Sequence, residues 1–304
     1  MSKPKKSTLF LCVAVFIFGL IVFFPLQNLK GMIFQQIYQS TGILIVAEEI
    51  HPLLLGWPGI QINNVNVTLP AGGDDIELAS KTLNVRARLG SSFIPSASLS
   101  FSELKGGGDL FLQFGQRGTV VSAAMESNAF NLAQIKLPGL HQRVEGILNS
   151  DISLKYNDAL FSDTKGTIEM TGKSIKTPAI LVNNPMLGPP FQIPELEAGD
   201  LDIKLKFNDG AMTISSFKLG NPKTDLSGSI TGDAKLGLTP DQTQINLTLR
   251  LIFSQKILSN PEYKTFLDFL GAYRTGTAGE YAMNWNASIA EILNLTKALP
   301  TAVK

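Results

Sequence analysis

Residues 201–219 read LDIKLKFNDGAMTISSFKL. Leu201, Ile203, Leu205 and Phe207 alternate with Asp202, Lys204 and Lys206. That period of two belongs to a strand with one apolar and one polar face. Asn208-Asp209-Gly210 supplies a tight turn, and residues 211–219 return as a second strand. The unit recurs: DISLKYND at 151–158 stands 51 residues before DIKLKFND at 202–209. A fainter copy, DLFLQFGQ at 109–116, stands 42 residues before that. Hairpins repeated in this way extend a sheet by addition instead of wrapping a central core.

The pattern spreads outward from this hairpin. Ile245, Leu247, Leu249, Leu251 and Phe253 alternate with Gln244, Asn246, Thr248 and Arg250, and Leu83, Val85, Ala87 and Leu89 alternate with polar residues. Helical signals are few. Residues 29–39 place Leu29, Met32, Ile33 and Ile37 on one side. Ser259-Asn260-Pro261-Glu262 opens a short helix carrying Tyr263, Phe266, Leu267 and Leu270, which Gly271 stops. A strand over 280–287 and a helix over 288–298 finish the chain. Many one-faced strands and few helices leave two solutions: two sheets packed as a sandwich, or one curved antiparallel sheet forming an open gutter with an apolar inner wall. The repeat and the N-terminal segment described next favour the gutter. The fold class expected is therefore mainly β, with a single N-terminal transmembrane helix and a few short helices.

Residues 9–26, LFLCVAVFIFGLIVFFPL, carry no charge. About 20 helical residues cross a hydrocarbon layer of about 30 Å. Lys3, Lys5 and Lys6 precede this segment and only Lys30 follows it closely, so the positive-inside rule puts the tail in the cytoplasm. No small-residue cleavage site follows, which favours an uncleaved signal anchor over a removed signal peptide. The expected division is a cytoplasmic tail and anchor over 1–28 and a β-rich domain over 29–304 on the far side.

Composition excludes several classes. The chain of 304 residues carries 26 Lys+Arg against 25 Asp+Glu, a net charge of +1, too balanced for a nucleic-acid binder relying on bulk positive charge. Cys12 is the only cysteine, which removes intrachain disulfides and cysteine-based zinc sites. With His51 and His141 as the only histidines, no cofactor and no metal is expected. Thr171-Gly172-Lys173-Ser174 mimics the end of a phosphate loop, but Thr167 stands where that motif needs Gly, and no helix follows. Glu48, Glu49 and His51 suggest a metal only until strand alternation sends the adjacent carboxylates to opposite faces. No G-x-S-x-G nucleophile elbow occurs, so no catalytic residue is expected and the chain reads as non-enzymatic. Two features remain. One is the candidate apolar groove formed by Leu201, Ile203, Leu205, Phe207, Ile245, Leu247, Leu249, Leu251 and Phe253. The other is Trp57, in the turn Gly56-Trp57-Pro58-Gly59, which suits a membrane interface and equally a plug at the end of the sheet.

The order of these features resembles a known family. A short basic tail, one span, a helix, a strand at 42–49 and Gly56-Trp57-Pro58-Gly59-Ile60 are followed by serial hairpins, with Leu226-Ser227-Gly228-Ser229-Ile230-Thr231-Gly232 among them. Residues 266–271 then precede a closing strand at 279–286. This is similar to the longer form of the type II secretion system protein N family, and more loosely to AsmA-type envelope proteins. The resemblance implies a single-pass protein of the bacterial inner membrane with a periplasmic β-rich domain. Such a protein would be accessory to the secretion apparatus and act by contact with its other components. The AsmA-type likeness implies an apolar groove that binds phospholipid or carries it between membranes. Neither implies a catalytic residue or a nucleic-acid partner.

Overall fold

A computed structural model describes residues 26–53, 56–71, 74–89, 95–134, 143–182, 191–293 and 300–303. Apart from Leu26, the expected span and its flanking Lys3, Lys5 and Lys6 lie outside the described residues. Among the described residues no helix is long and apolar enough to cross a membrane.

Helix α1 (Leu26–Thr41) opens this part of the chain, beginning before the expected helix and ending after it. The strands follow as β1 (Leu44–Val46), β2 (Glu49–Leu53), β3 (Gly59–Ala71), β4 (Asp74–Leu89), β5 (Pro95–Leu104), β6 (Asp109–Arg117), β7 (Val120–Asn131), β8 (Glu145–Asn157) and β9 (Leu160–Thr177). After these come β10 (Ile180–Val182), β11 (Phe191–Ile193), β12 (Leu196–Asn208), β13 (Ala211–Leu219), β14 (Leu226–Lys235), β15 (Gln244–Phe253), β16 (Glu280–Ser288) and β17 (Thr301–Ala302). All but β10 and β11, which pair with each other, belong to one antiparallel sheet of 15 strands. From β3 onward each strand of that sheet pairs with the next one in it, and β1 and β2 share β3 as partner. This is the single sheet of added hairpins, not the sandwich. The expected strand at 42–49 is divided instead into β1 and β2. Between them Lys30 of α1 donates to the carbonyls of Ala47 and Glu48, at 3.0 and 2.8 Å.

The repeat occupies equivalent places. Its copies are β6, β8 and β12, and each runs into a turn on the same rim of the sheet. In the clearest copy Asp209 and Gly210 have φ of 49° and 77°, as a two-residue hairpin turn with both central residues left-handed requires. That rim also carries the β2–β3 turn with Trp57 and the β14–β15 connection; we call it the Trp57 rim. The opposite rim carries the β5–β6 turn and the β13–β14 connection, and there Asp225 of the latter meets Lys256 of α2 (Gln255–Ser259), which α3 (Lys264–Phe269) follows. Helix α2 was not expected, although Ser254 accepts from the Ile257 N–H as its N-cap. Of the helix expected over 288–298, the described residues form α4 (Ile289–Leu293), and 294–298 lie outside the described residues.

Candidate functional site

Strand register decides which side chains share a face, because directly opposed residues in a pleated sheet project together. Leu249 faces Ile230 on one side and Met283 on the other. Leu205 faces Ile168 and Ile214, Ile152 faces Ile168 and Met125, and Leu112 faces Met125 and Leu99. Leu99 continues the row through Val85 to Ile60. One apolar face therefore runs without interruption from β3 to β16. It includes eight of the nine groove candidates as half-buried side chains, the ninth being Phe253.

Burial along this face is graded. Towards the rim opposite Trp57 it is sealed by two clusters. In the first, Phe34 of α1 packs with Ile33 and Ile37 against Ile62, Val65, Leu83, Phe101 and Leu110 of the sheet. In the second, Phe253, Tyr281 and Met283 pack against Ile257, Tyr263, Leu267 and Leu270 of the C-terminal helices. Phe253 stands edge-on to Phe266 and Tyr281 at 5.7 and 5.6 Å between ring centres, so it belongs to a closed core and not to an open wall. Tyr263 donates to the carbonyl of Glu195 at 2.6 Å, tying the helices to the start of β12, and burial raises its pKa. Leu249, Leu251 and Trp285 lie at the border of this cluster. Leu112 and Met125 lie at the border of the first cluster, and towards the Trp57 rim Val121, Ile152, Leu154, Ile168, Leu205, Phe207, Met212 and Leu247 belong to neither cluster and none is buried. Phe114 is 52% exposed there.

The apolar face is thus covered at its two ends and towards one rim and half-exposed towards the other; we call this strip the trough. Its unsealed part runs over β6, β7, β8, β9, β12, β13, β14 and β15, about 34 Å at the usual ~4.8 Å between strands. Two glycines shape this wall. Gly166 and Gly232 sit on the apolar face with φ of 142° and 131°, where a Cβ would strike the carbonyl oxygens of Ser153 and Asn246. Glycine at such points lets backbones approach and the sheet bend.

A polar clasp holds the C-terminal cap. Asp225, only 8% exposed, accepts from Lys256 of α2 at 2.9 Å and from the Glu197 N–H at 3.3 Å. The hydrogen bond to Asp225 raises the Lys256 pKa above 10.5. A raised lysine contributes stability below its unfolded-state pKa and loses it as pH climbs through the folded value. The lysine's part of the clasp should therefore persist at neutral pH and weaken in strong alkali. Asp225→Ala should lower stability by about 1 kcal/mol through the lost Glu197 bond alone. Denaturant unfolding would read this, with an unchanged midpoint refuting the clasp.

The other face of the sheet is largely polar. It holds a cavity of about 560 Å³ lined by residues including Asn66, Glu77, Lys105 and Arg143, and another of about 310 Å³ lined by residues including Asp109, Glu126 and Asp151. Among the described residues no group of three or more His, Cys, Asp or Glu is placed to hold a metal ion. Glu49 takes His51 at 3.1 Å, which lowers its pKa, while Glu48 accepts from Asn64, so the two carboxylates have separate partners. The sequence TGKS lies within β9 with no helix to receive a phosphate. Trp57 is 46% exposed at its turn, and its carbonyl accepts from Arg86 at 3.1 Å, so it does not plug the sheet. No family model matches the chain, and neither does a curated protein or a solved structure.

Proposed function

We propose that the trough binds the acyl chains of a lipid, and that the protein is a non-enzymatic, membrane-anchored lipid carrier of the bacterial envelope. The observation that carries this is the unsealed apolar wall between two capped ends. Leaving such a surface against water costs about 25 cal/mol per Å², and apolar patches beyond a few hundred Å² mark interaction sites. A flexible hydrocarbon chain fits a long, smooth wall with no charged side chain on it. The anchor at residues 9–26, inner-membrane location and periplasmic exposure belong to the same proposal. The accessory role in type II secretion that the resemblance implies would fill this wall with a segment of a partner protein instead.

Trp285 offers a direct test. It faces Leu247 across β15 and β16, at the border between the closed cluster and the open wall. Its indole N–H is buried without a hydrogen-bond partner. With Trp57→Phe, Trp285 becomes the sole tryptophan. A lipid carrying a conjugated polyene chain should then quench its emission by energy transfer, saturating near one or two chains per protein. The water-soluble headgroup alone should leave the emission unchanged. Absence of saturable quenching would refute the site.

A further inference from the structure

The position of the anchor relative to the trough carries a further step, which rests on the lipid-binding reading above. Helix α1 has a defined direction. At its end, Thr41 leads through Gly42 into β1, where Leu44 pairs with Thr68 near the sealed rim. Near its start, Lys30 reaches Ala47 and Glu48, halfway along β3. Its 16 residues, about 24 Å of helix, therefore run from the Trp57 rim towards the sealed rim. Leu26, where the uncharged segment 9–26 ends, lies on the side of the Trp57 rim. The trough is half-exposed towards that same rim and buried towards the other. Three large apolar side chains distributed along the open side, Trp57, Phe114 and Leu238, are 46%, 52% and 61% exposed.

We infer that the open rim of the trough faces the bilayer holding the anchor, and that a membrane lipid enters sideways, acyl chains first, through this rim. The alternative is a sheet standing on its N-terminal end, touching the membrane only near α1. The two arrangements differ at the hairpin turns. Sideways seating brings the β6–β7, β8–β9 and β12–β13 turns to the headgroups together. End-on seating lifts each later turn further away, by about 10 Å for every two strands.

The test uses the full chain in phosphatidylcholine vesicles containing a lipid with a nitroxide on its headgroup. Cys12→Ala removes the one native thiol, and a fluorophore is attached to a cysteine placed singly at Thr119, Asp158, Asp209, Gly107 or Lys223. The first three sites lie on the open rim, and the last two on the sealed rim. The inference predicts at least threefold more quenching at Thr119, Asp158 and Asp209 than at Gly107 and Lys223, with the first three alike. Equal quenching on both rims, or quenching that falls steadily from Thr119 to Asp209, would overturn it. A photoactivatable group at Leu247 in the same vesicles separates the two ideas. Lipid adducts there with unquenched rim turns would leave the carrier reading standing and remove the orientation. Quenched turns without lipid adducts would remove the carrier reading, and with it lipid entry.

Discussion

Ile257→Asp should prevent folding, while Leu247→Asp should leave a folded protein that no longer binds lipid. Ile257 is 0% exposed at the centre of the C-terminal cluster. A carboxylate there has no water and no partner, a cost of several kcal/mol that rivals the whole stability of a domain. Leu247 lies on the same side of the sheet but outside both clusters, where water reaches its side chain. An aspartate there stays hydrated, costs the fold little and places a charge where a hydrocarbon chain would lie. Loss of lipid binding should exceed tenfold, with Leu247→Ala milder. Circular dichroism melts and lipid binding read together separate the variants. An unfolded Leu247→Asp protein would mean that the wall is closed, and a folded Ile257→Asp protein that the cap is loose.

Gly232→Val should be the most damaging single change on the wall itself. Valine is β-branched and excluded from φ of 131°, and its Cβ would be driven into the Asn246 carbonyl of the neighbouring strand. Strain of about 1–3 kcal/mol and overpacking of about 1–3 kcal/mol add there. A drop in Tm of roughly 5 °C or more follows for a domain of this size. Gly276→Val, where nothing stands within 4 Å, is the control and should leave the melt nearly unchanged. Equal melting of the two variants would show that the close approach at Gly232 does not require glycine.

The sheet was legible because its local signals agree. Alternation in 201–207 and 245–253, the Asn-Asp-Gly turn and the repeated DIxLKxND unit all specify antiparallel hairpins. The structure gives these segments as β12, β15 and β8. Alternation also placed Leu201, Ile203, Leu205, Phe207, Ile245, Leu247, Leu249 and Leu251 on one face. What it could not tell was that Phe253, in step with Ile245 to Leu251, enters a sealed core. That depends on helices that follow it in sequence and fold back over its end of the row. The interruption between β1 and β2 was equally hidden, because it rests on a lysine 17 residues away in sequence. The direction in which the trough opens is a property of both clusters together, and no single segment encodes it.

The most direct test of the account places a photoactivatable phenylalanine analogue at Ile203, on the apolar wall, and at Lys204, its neighbour on the opposite face of the sheet. Irradiation is carried out in cells making the full chain. The account predicts phospholipid adducts at Ile203 and none at Lys204. Protein adducts at Ile203, or no adduct at either position, would contradict it.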